Sequence, residues 1–175
     1  MSDLSVALGP LKLKNPVTVA SGTAGYGEEL ARYGDIASLG AIFTKGLSIQ
    51  PRLGNTGNRI IETPAGVMNS IGLENVGIEK FLSSKLPFLA RSGATVIPNV
   101  AGHSIEENVE LCSALGNESA VAALELNVSC PNVKEGGLSF AKDECALREL
   151  VAGCRAATIK PLIVKLSPNV DDIAK

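Results

Sequence analysis

The feature that most constrains the fold is a set of short apolar runs, each followed by a turn and then by a helix-like stretch. The runs begin near residues 17, 41, 94, 122 and 162. Each run is largely apolar throughout, whereas a strand with one face in water would alternate apolar and polar residues. Buried strands that alternate with helices predict an α/β fold with a parallel sheet.

Three segments between the runs have the pattern of helices, over residues 78–91, 104–115 and 143–157. Ser104 and Glu107 have the spacing of a capping box and predict the start of the second helix. Pro87 lies inside the first helix and is expected to perturb it, because proline has no N–H for the helical hydrogen bond.

One connection between strands is unusually long. The gaps between strand starts are 24, 53, 28 and 40 residues, and the gap of 53 exceeds a single strand–helix unit. It contains an excursion over residues 46–77, which we expect to be an active-site loop region, since long loops in compact domains are usually functional. Within it, the turn signals at 53–58 predict a hairpin that pairs 48–49 with 59–61. Residues 1–15 predict another hairpin, able to close one end of a barrel.

Polar residues mark the ends of the five predicted strands: Ser21, Lys45, Asn99, Asn127 and Lys165. In a barrel of parallel strands this end carries the active site; the alternative is that chains simply become polar where strands end. A complete (β/α)₈ TIM barrel takes about 200–250 residues or more. The sequence therefore predicts a single domain over 1–175 that is the first part of such a barrel, with roughly five of its strands.

Composition argues against several classes of function. With 16 Lys+Arg and 18 Asp+Glu the net charge is −2, without the basic surface of a nucleic-acid-binding protein. We find no signal peptide and no run long enough to span a membrane, so we expect a cytoplasmic protein. No metal site is predicted, because no cysteines have Cys-x-x-Cys spacing and His103 is the only histidine.

The most specific motif is Asn127-Val-Ser-Cys-Pro-Asn132, directly after the fourth strand. Amide side chains both donate and accept hydrogen bonds, so they suit a ring that carries amide groups. Cys130, on a loop beyond a strand end, is placed to act as a base or nucleophile where its surroundings favour the thiolate. A buried structural thiol is the alternative, and the preferred interpretation of the other three cysteines.

With Ala20-Ser-Gly22, Thr44-Lys-Gly46 and Met68-Asn-Ser-Ile-Gly-Leu-Glu-Asn75, this motif resembles the class 1 dihydroorotate dehydrogenases, particularly class 1B. The resemblance covers essentially the whole chain. It implies an FMN-dependent oxidoreductase that converts (S)-dihydroorotate to orotate in pyrimidine (UMP) biosynthesis. It also implies a homodimer and, for electron transfer to NAD, a partner subunit that carries FAD and an iron–sulfur cluster.

The resemblance also implies roles for individual residues. Cys130 would be the general base, and hydride would pass to FMN. The implied cofactor contacts are Ser21, Lys45, Gly46, Asn99, Asn127 and Lys165. The implied substrate contacts are Lys45, Asn69, Ser70, Ile71, Gly72, Leu73 and Asn127. Phe140-Ala-Lys142 departs from the family pattern, and the Gly-rich phosphate loops expected after the last barrel strands have no counterpart in this sequence.

Two alternatives stay open at the level of sequence. One is a dehydrogenase of another dihydropyrimidine, such as dihydrouracil. These enzymes share the barrel and a similar Asn-x-Ser-Cys-Pro segment, but their substrates have no carboxylate. The other alternative is a flavin-free, inactive fragment of a barrel, whose open sheet edges would favour association with another chain.

Overall fold

The structure, a computed structural model, describes residues 2–128 and 143–167. Within these residues the strands are short, and they comprise a series of parallel strands and two antiparallel hairpins. The strands are β1 (Val6–Leu8), β2 (Leu11–Leu13), β3 (Thr18–Val19), β4 (Ala41–Phe43), β5 (Ile60–Thr63), β6 (Gly66–Asn69), β7 (Val96–Ile97), β8 (Asn99–Val100), β9 (Leu124–Asn127) and β10 (Leu162–Lys165).

The helices follow the strands as predicted. They are α1 (Gly77–Lys80), a π-helical turn (Phe81–Lys85), α2 (Leu86–Ser92), α3 (Ile105–Gly116) and α4 (Glu144–Ala157), with 3₁₀ turns at Leu30–Arg32 and Ile36–Ser38. None of the helices in the described ranges is both long and apolar enough to cross a membrane.

Two of the predicted helical features have a visible physical basis. The Ser104 hydroxyl accepts a hydrogen bond from the Glu107 N–H and caps α3. The Glu107 carboxylate turns back and accepts from the N–H groups of His103 and Ile49, so it ties the helix to the preceding loops. The π-helical turn ends two residues before Pro87, which has no N–H for a helical hydrogen bond and whose ring clashes with the carbonyl group four residues earlier in a regular helix.

The parallel sheet is continuous across its two halves. β3 pairs with β4 and β4 with β7, while β8 pairs with β9 and β9 with β10, all in parallel. β7 and β8 are two parts of one strand interrupted at Pro98, and a parallel bridge between Leu47 and Val100 joins the halves. The five predicted strands therefore lie side by side in chain order, as in the first part of a (β/α)₈ barrel.

The parallel strands β4, β7 and β9 are largely apolar because residues on both of their faces are buried. Outward-facing residues such as Ile42, Leu124 and Leu126 are fully buried against the helices. Inward-facing residues such as Ile97 and Ala123 form a separate apolar cluster inside the curved sheet. Since side chains alternate between faces, the inward positions further along each strand reach the carboxyl end of the sheet.

The hairpin β1–β2 packs against the inner cluster. It is antiparallel, pairing Val6 with Leu13, and its turn uses Gly9 at φ 57°. Leu11 and Leu13 are buried in the same cluster as Ile97 and Ala123. The hairpin thus covers the amino-terminal end of the strands and leaves their carboxyl ends accessible.

The hairpin predicted inside the long excursion is wrong in its position. β5 pairs with β6, so that Ile60 lies opposite Asn69 and Thr63 opposite Gly66. The turn between them contains Pro64, whose fixed φ favours a turn, and ends at Gly66 with φ 154°. The Gly- and Asn-rich segment 53–58, which resembles a hairpin turn in sequence, instead forms a loop held to the end of the excursion.

Candidate cofactor and substrate site

A cavity of about 360 Å³ opens at the carboxyl ends of the parallel strands. This volume lies within the range of small-molecule sites, and a few polar groups among apolar walls are typical of them. The described residues that line it are Ser21, Gly22, Thr23, Lys45, Gly46, Asn69, Ile71, Leu73, Glu74, Asn99, Asn127 and Lys165.

The predicted site residues converge on this cavity from distant parts of the chain. All six predicted cofactor contacts line it, as do five of the seven predicted substrate contacts. The other two, Ser70 and Gly72, lie in the same segment of the excursion but outside the lining. Their roles in binding stay predictions.

A connected polar network forms the floor of the cavity and continues beneath it to Glu125, which lies outside the lining. The Asn99 amide nitrogen donates to the Glu125 carboxylate at 2.5 Å, and the Asn127 amide nitrogen lies 3.5 Å from the Asn99 carbonyl oxygen. The Lys165 ammonium donates to the Ser21 hydroxyl at 2.9 Å and lies 3.8 Å from the Glu125 carboxylate. The network therefore joins the first and last of the described parallel strands across the cavity.

Gly46 is placed where a larger residue would narrow the cavity. A Cβ atom at this position would lie 3.0 Å from the Asn99 carbonyl oxygen and 3.2 Å from the Ala101 methyl group. Both distances are tighter than ordinary van der Waals contact. The absence of a side chain thus avoids a clash with Asn99 and Ala101 at this wall of the cavity.

At the mouth of the cavity, Lys45 forms an ion pair with Glu74 of the excursion. The Glu74 carboxylate lies 3.5 Å from the Lys45 ammonium and 3.0 Å from the Arg59 guanidinium. The Lys45 charge, followed by that of Arg59, lowers the pKa of the Glu74 carboxyl from its ordinary value. Lys45 is a cation that a carboxylate in the cavity can also reach, in competition with Glu74.

The excursion has a backbone shape that only specific contacts can maintain. Gly72 has φ 76° and Leu73 has φ 55°, the latter a left-handed conformation that is unfavourable for a residue with a side chain. The Asn75 amide nitrogen donates to the Leu73 carbonyl at 2.9 Å and to the Ser48 hydroxyl at 2.8 Å. Asn75 is buried, so the end of the segment Met68–Asn75 anchors the loop rather than lining the site.

The excursion is also fixed through Tyr26. Its hydroxyl accepts a hydrogen bond from the Val76 N–H at 3.4 Å, and its ring contacts Phe81 with centroids 5.8 Å apart. Burial raises the pKa of Tyr26 to about 12, and the nearby Glu74 charge acts in the same direction. The tyrosine therefore stays neutral near pH 7 and serves as a fixed support of the loop.

The predicted catalytic Cys130 lies outside the described residues. It follows Asn127 by three positions in the sequence, and Asn127 lines the cavity at the end of β9.

Sequence reasoning missed Glu125 and Glu74. Glu125 lies in the apolar run of β9 and is only 7% exposed. The sequence did contain a signal for it, because a carboxylate within a buried strand is rare unless it is paired. Glu74 had no comparable signal, because its importance comes from Lys45 and Arg59, which are distant in sequence.

The comparisons with known proteins agree over almost the whole chain. Residues 3–175 match the family described as "Dihydroorotate dehydrogenase". The chain is 54% identical over 172 residues to "Dihydroorotate dehydrogenase B (NAD(+)), catalytic subunit" from Trichlorobacter lovleyi, covering 98% of this chain and 57% of the relative. A protein with the same description from Pelobacter propionicus is 54% identical over 171 residues, covering 98% of this chain and 56% of its own length.

The chain belongs to the dihydroorotate dehydrogenase family. It spans a little over half the length of these relatives. Among solved structures, a dihydroorotate dehydrogenase of Eimeria tenella in complex with ferulenol superposes with a TM-score of 0.77 at 19% identity, covering 96% of this chain and 53% of the other. That likeness confirms the fold as part of a TIM barrel.

Proposed function

We propose that the protein is the catalytic subunit of a class 1B dihydroorotate dehydrogenase, which oxidises (S)-dihydroorotate to orotate in pyrimidine biosynthesis. The observation that carries the proposal is a convergence in space: of eleven different predicted contact positions, nine line a single cavity at the strand ends. The family membership and the names of the relatives support the same activity.

The residues of the cavity fit FMN and a dihydropyrimidine. Asn69, Asn99 and Asn127 offer amide groups that match ring carbonyl and N–H groups. Lys45 and Lys165 add two ammonium groups to the walls, suited to a substrate carboxylate and to negative charge on a ring. FMN, when bound, would supply the acceptor for the two electrons released in the oxidation.

The chain's own residues would divide the remaining work. Cys130 would take the proton from the substrate carbon, and a well-placed base contributes about 10²–10⁴ in rate. Lys45 would bind the substrate carboxylate, for which it must exchange its contact with Glu74. The asparagines would orient the rings, which fixes the distance over which the proton moves.

Electron transfer to NAD would require a partner subunit that carries FAD and an iron–sulfur cluster, and the catalytic subunit would be a cytoplasmic homodimer. The relatives' description as a "catalytic subunit" supports a further subunit. Rapid NAD⁺ reduction by the purified catalytic subunit alone, with dihydroorotate as donor, would refute this part of the proposal.

The test is the anaerobic rate of flavin reduction in the complete gene product, followed by stopped-flow absorbance. Dihydroorotate is expected to reduce the flavin, and Cys130→Ala is expected to slow that step at least ~10²-fold while flavin stays bound. Cys145→Ala is the matched control, because Cys145 is an exposed thiol at the start of α4 and should leave the rate unchanged.

Three results would contradict the proposal. Faster reduction by dihydrouracil than by dihydroorotate would indicate a dehydrogenase of uncharged dihydropyrimidines. An unchanged rate in Cys130→Ala would remove the cysteine as base. A protein that binds no flavin would be an inactive barrel.

A further inference from the structure

Beneath the residues that line the floor of the cavity lies a buried carboxylate that none of the predicted roles includes. Glu125 lies in β9, between the fully buried Leu124 and Leu126, and its side chain points into the curved sheet. Directly beneath it in the barrel interior is the apolar cluster that includes Ala123 and Ile97. Burial of an unpaired carboxylate is strongly unfavourable, so its position demands compensating partners.

Two partners compensate Glu125, and both belong to the cavity. The Asn99 amide nitrogen lies 2.5 Å from its carboxylate oxygen, and the Lys165 ammonium lies 3.8 Å from the same oxygen. Asn99 and Glu125 are also direct neighbours in the parallel register of β8 and β9. The carboxylate is therefore held by the two neighbouring strands on either side of its own.

The contact with Asn99 determines which end of that amide faces the cavity. An ionised carboxylate only accepts hydrogen bonds, so Asn99 must present its NH₂ group to Glu125. Its carbonyl oxygen then lies on the side of Gly46 and Asn127. The wall of the cavity consequently presents an acceptor at this point, which selects a ring N–H in the ligand.

The contact with Lys165 determines the charge at the floor. Glu125 places one negative charge close to the Lys165 ammonium, which also donates to Ser21. A neutral residue at position 125 would leave the lysine charge uncompensated. The cavity would then favour a more negatively charged ligand than it does with Glu125 present.

We propose that Glu125 is a positioning residue that sets both the hydrogen-bond polarity and the charge of the cavity floor. The inference rests on the proposed function, because its consequences are measured as the affinity and the redox potential of bound FMN. Glu125 orients Asn99 toward a ring N–H, and it moderates the attraction of Lys165 for the extra negative charge of the reduced ring.

The test compares Glu125→Gln with wild type in the complete gene product, using two measurements on FMN. Glutamine offers both a donor and an acceptor, so Asn99 is no longer held in one orientation, and we expect the dissociation constant of oxidised FMN to rise at least about tenfold. A spectroelectrochemical titration should show the equilibrium shifted at least about tenfold toward reduced FMN. This shift is about 30 mV to more positive potential for a two-electron couple.

The expected size of the shift in the redox equilibrium follows from the distance between the carboxylate and the ring. A ring in contact with Asn99 lies within about 10 Å of the carboxylate, where one charge at an effective dielectric constant near 20 changes an equilibrium by more than tenfold. Glu125→Asp, which keeps the charge on a shorter side chain, should weaken FMN binding with less than about a threefold shift in that equilibrium. Glu110→Gln, an exposed carboxylate on α3, is the matched control for net charge and should change neither measurement.

The possible outcomes separate this inference from the proposed function. Wild-type protein that binds no FMN overturns both. Wild-type protein that binds FMN, with an unchanged potential in Glu125→Gln, overturns the inference and leaves the proposed function intact. Loss of folding in both the Gln and Asp variants before FMN is added would assign Glu125 to folding alone and also overturn the inference.

Discussion

Asn75 is expected to control both the stability of the excursion and the shape of segment 69–73, for which substrate contacts are predicted. Its carbonyl oxygen accepts hydrogen bonds from the Ser48 N–H at 3.3 Å and the Gly77 N–H at 2.9 Å. Its NH₂ group donates to the Leu73 carbonyl and to the Ser48 hydroxyl, which itself donates to the Gln50 carbonyl. One buried amide thus satisfies backbone groups from both ends of the loop.

The magnitude of Asn75→Ala follows from this inventory. The substitution leaves the buried N–H groups of Ser48 and Gly77 without their acceptor, at about 1–3 kcal/mol for each unsatisfied group. We therefore expect the free energy of unfolding to fall by roughly 2–6 kcal/mol. The Leu73 backbone also loses the contact that holds it at φ 55°, so substrate should bind more weakly.

The assay is urea unfolding followed by circular dichroism, combined with the KM for dihydroorotate. Asn55→Ala is the matched control, because Asn55 also joins two parts of the excursion, through Ser70, but is exposed. Its loss should cost under about 1 kcal/mol, since a solvated bond is readily replaced by water. Equal, small effects of the two substitutions would refute the reasoning.

Two further predictions concern the wall and the mouth of the cavity. Gly46→Ala places a methyl group 3.0 Å from the Asn99 carbonyl oxygen and should weaken FMN binding at least about tenfold, by fluorescence titration of the apoprotein; unchanged affinity would show that the ring lies elsewhere. Lys45 lowers the pKa of Glu74, so the ion pair stabilises the fold above the ordinary carboxyl pKa and is lost as the pH falls through the lowered value. The acid side of the thermal-midpoint profile should flatten slightly in Glu74→Gln, and identical profiles would count against the pairing.

The strands and the convergence of their polar ends could be predicted from the sequence because both depend on local pattern. Short apolar runs indicate strands buried on both faces. In a parallel sheet, the alternation of side chains between the two faces places Asn99, Asn127 and Lys165 on the inner face. The capping box at Ser104 was readable for the same reason, since its two residues lie within one turn.

The remaining features depend on partners that are distant in the chain. In the sequence, Glu125 is a single polar residue within an apolar run. Its role depends on Asn99 and Lys165, which only the folded chain places beside it. The hairpin of the excursion was misplaced because Gly–Asn segments signal turns wherever they occur, while the actual turn uses Pro64 and Gly66. Neither the tertiary pairing nor the choice between two competing turns is encoded in a short window of sequence.

The central claim is that the strand ends form a flavin site that accepts electrons from dihydroorotate. The most direct measurement is the visible absorption spectrum of the purified complete gene product, before and after anaerobic addition of dihydroorotate. We predict a flavin band that bleaches when the substrate is added. A colourless protein that takes up no added FMN, or a flavin band that dihydroorotate leaves unchanged, would contradict the claim.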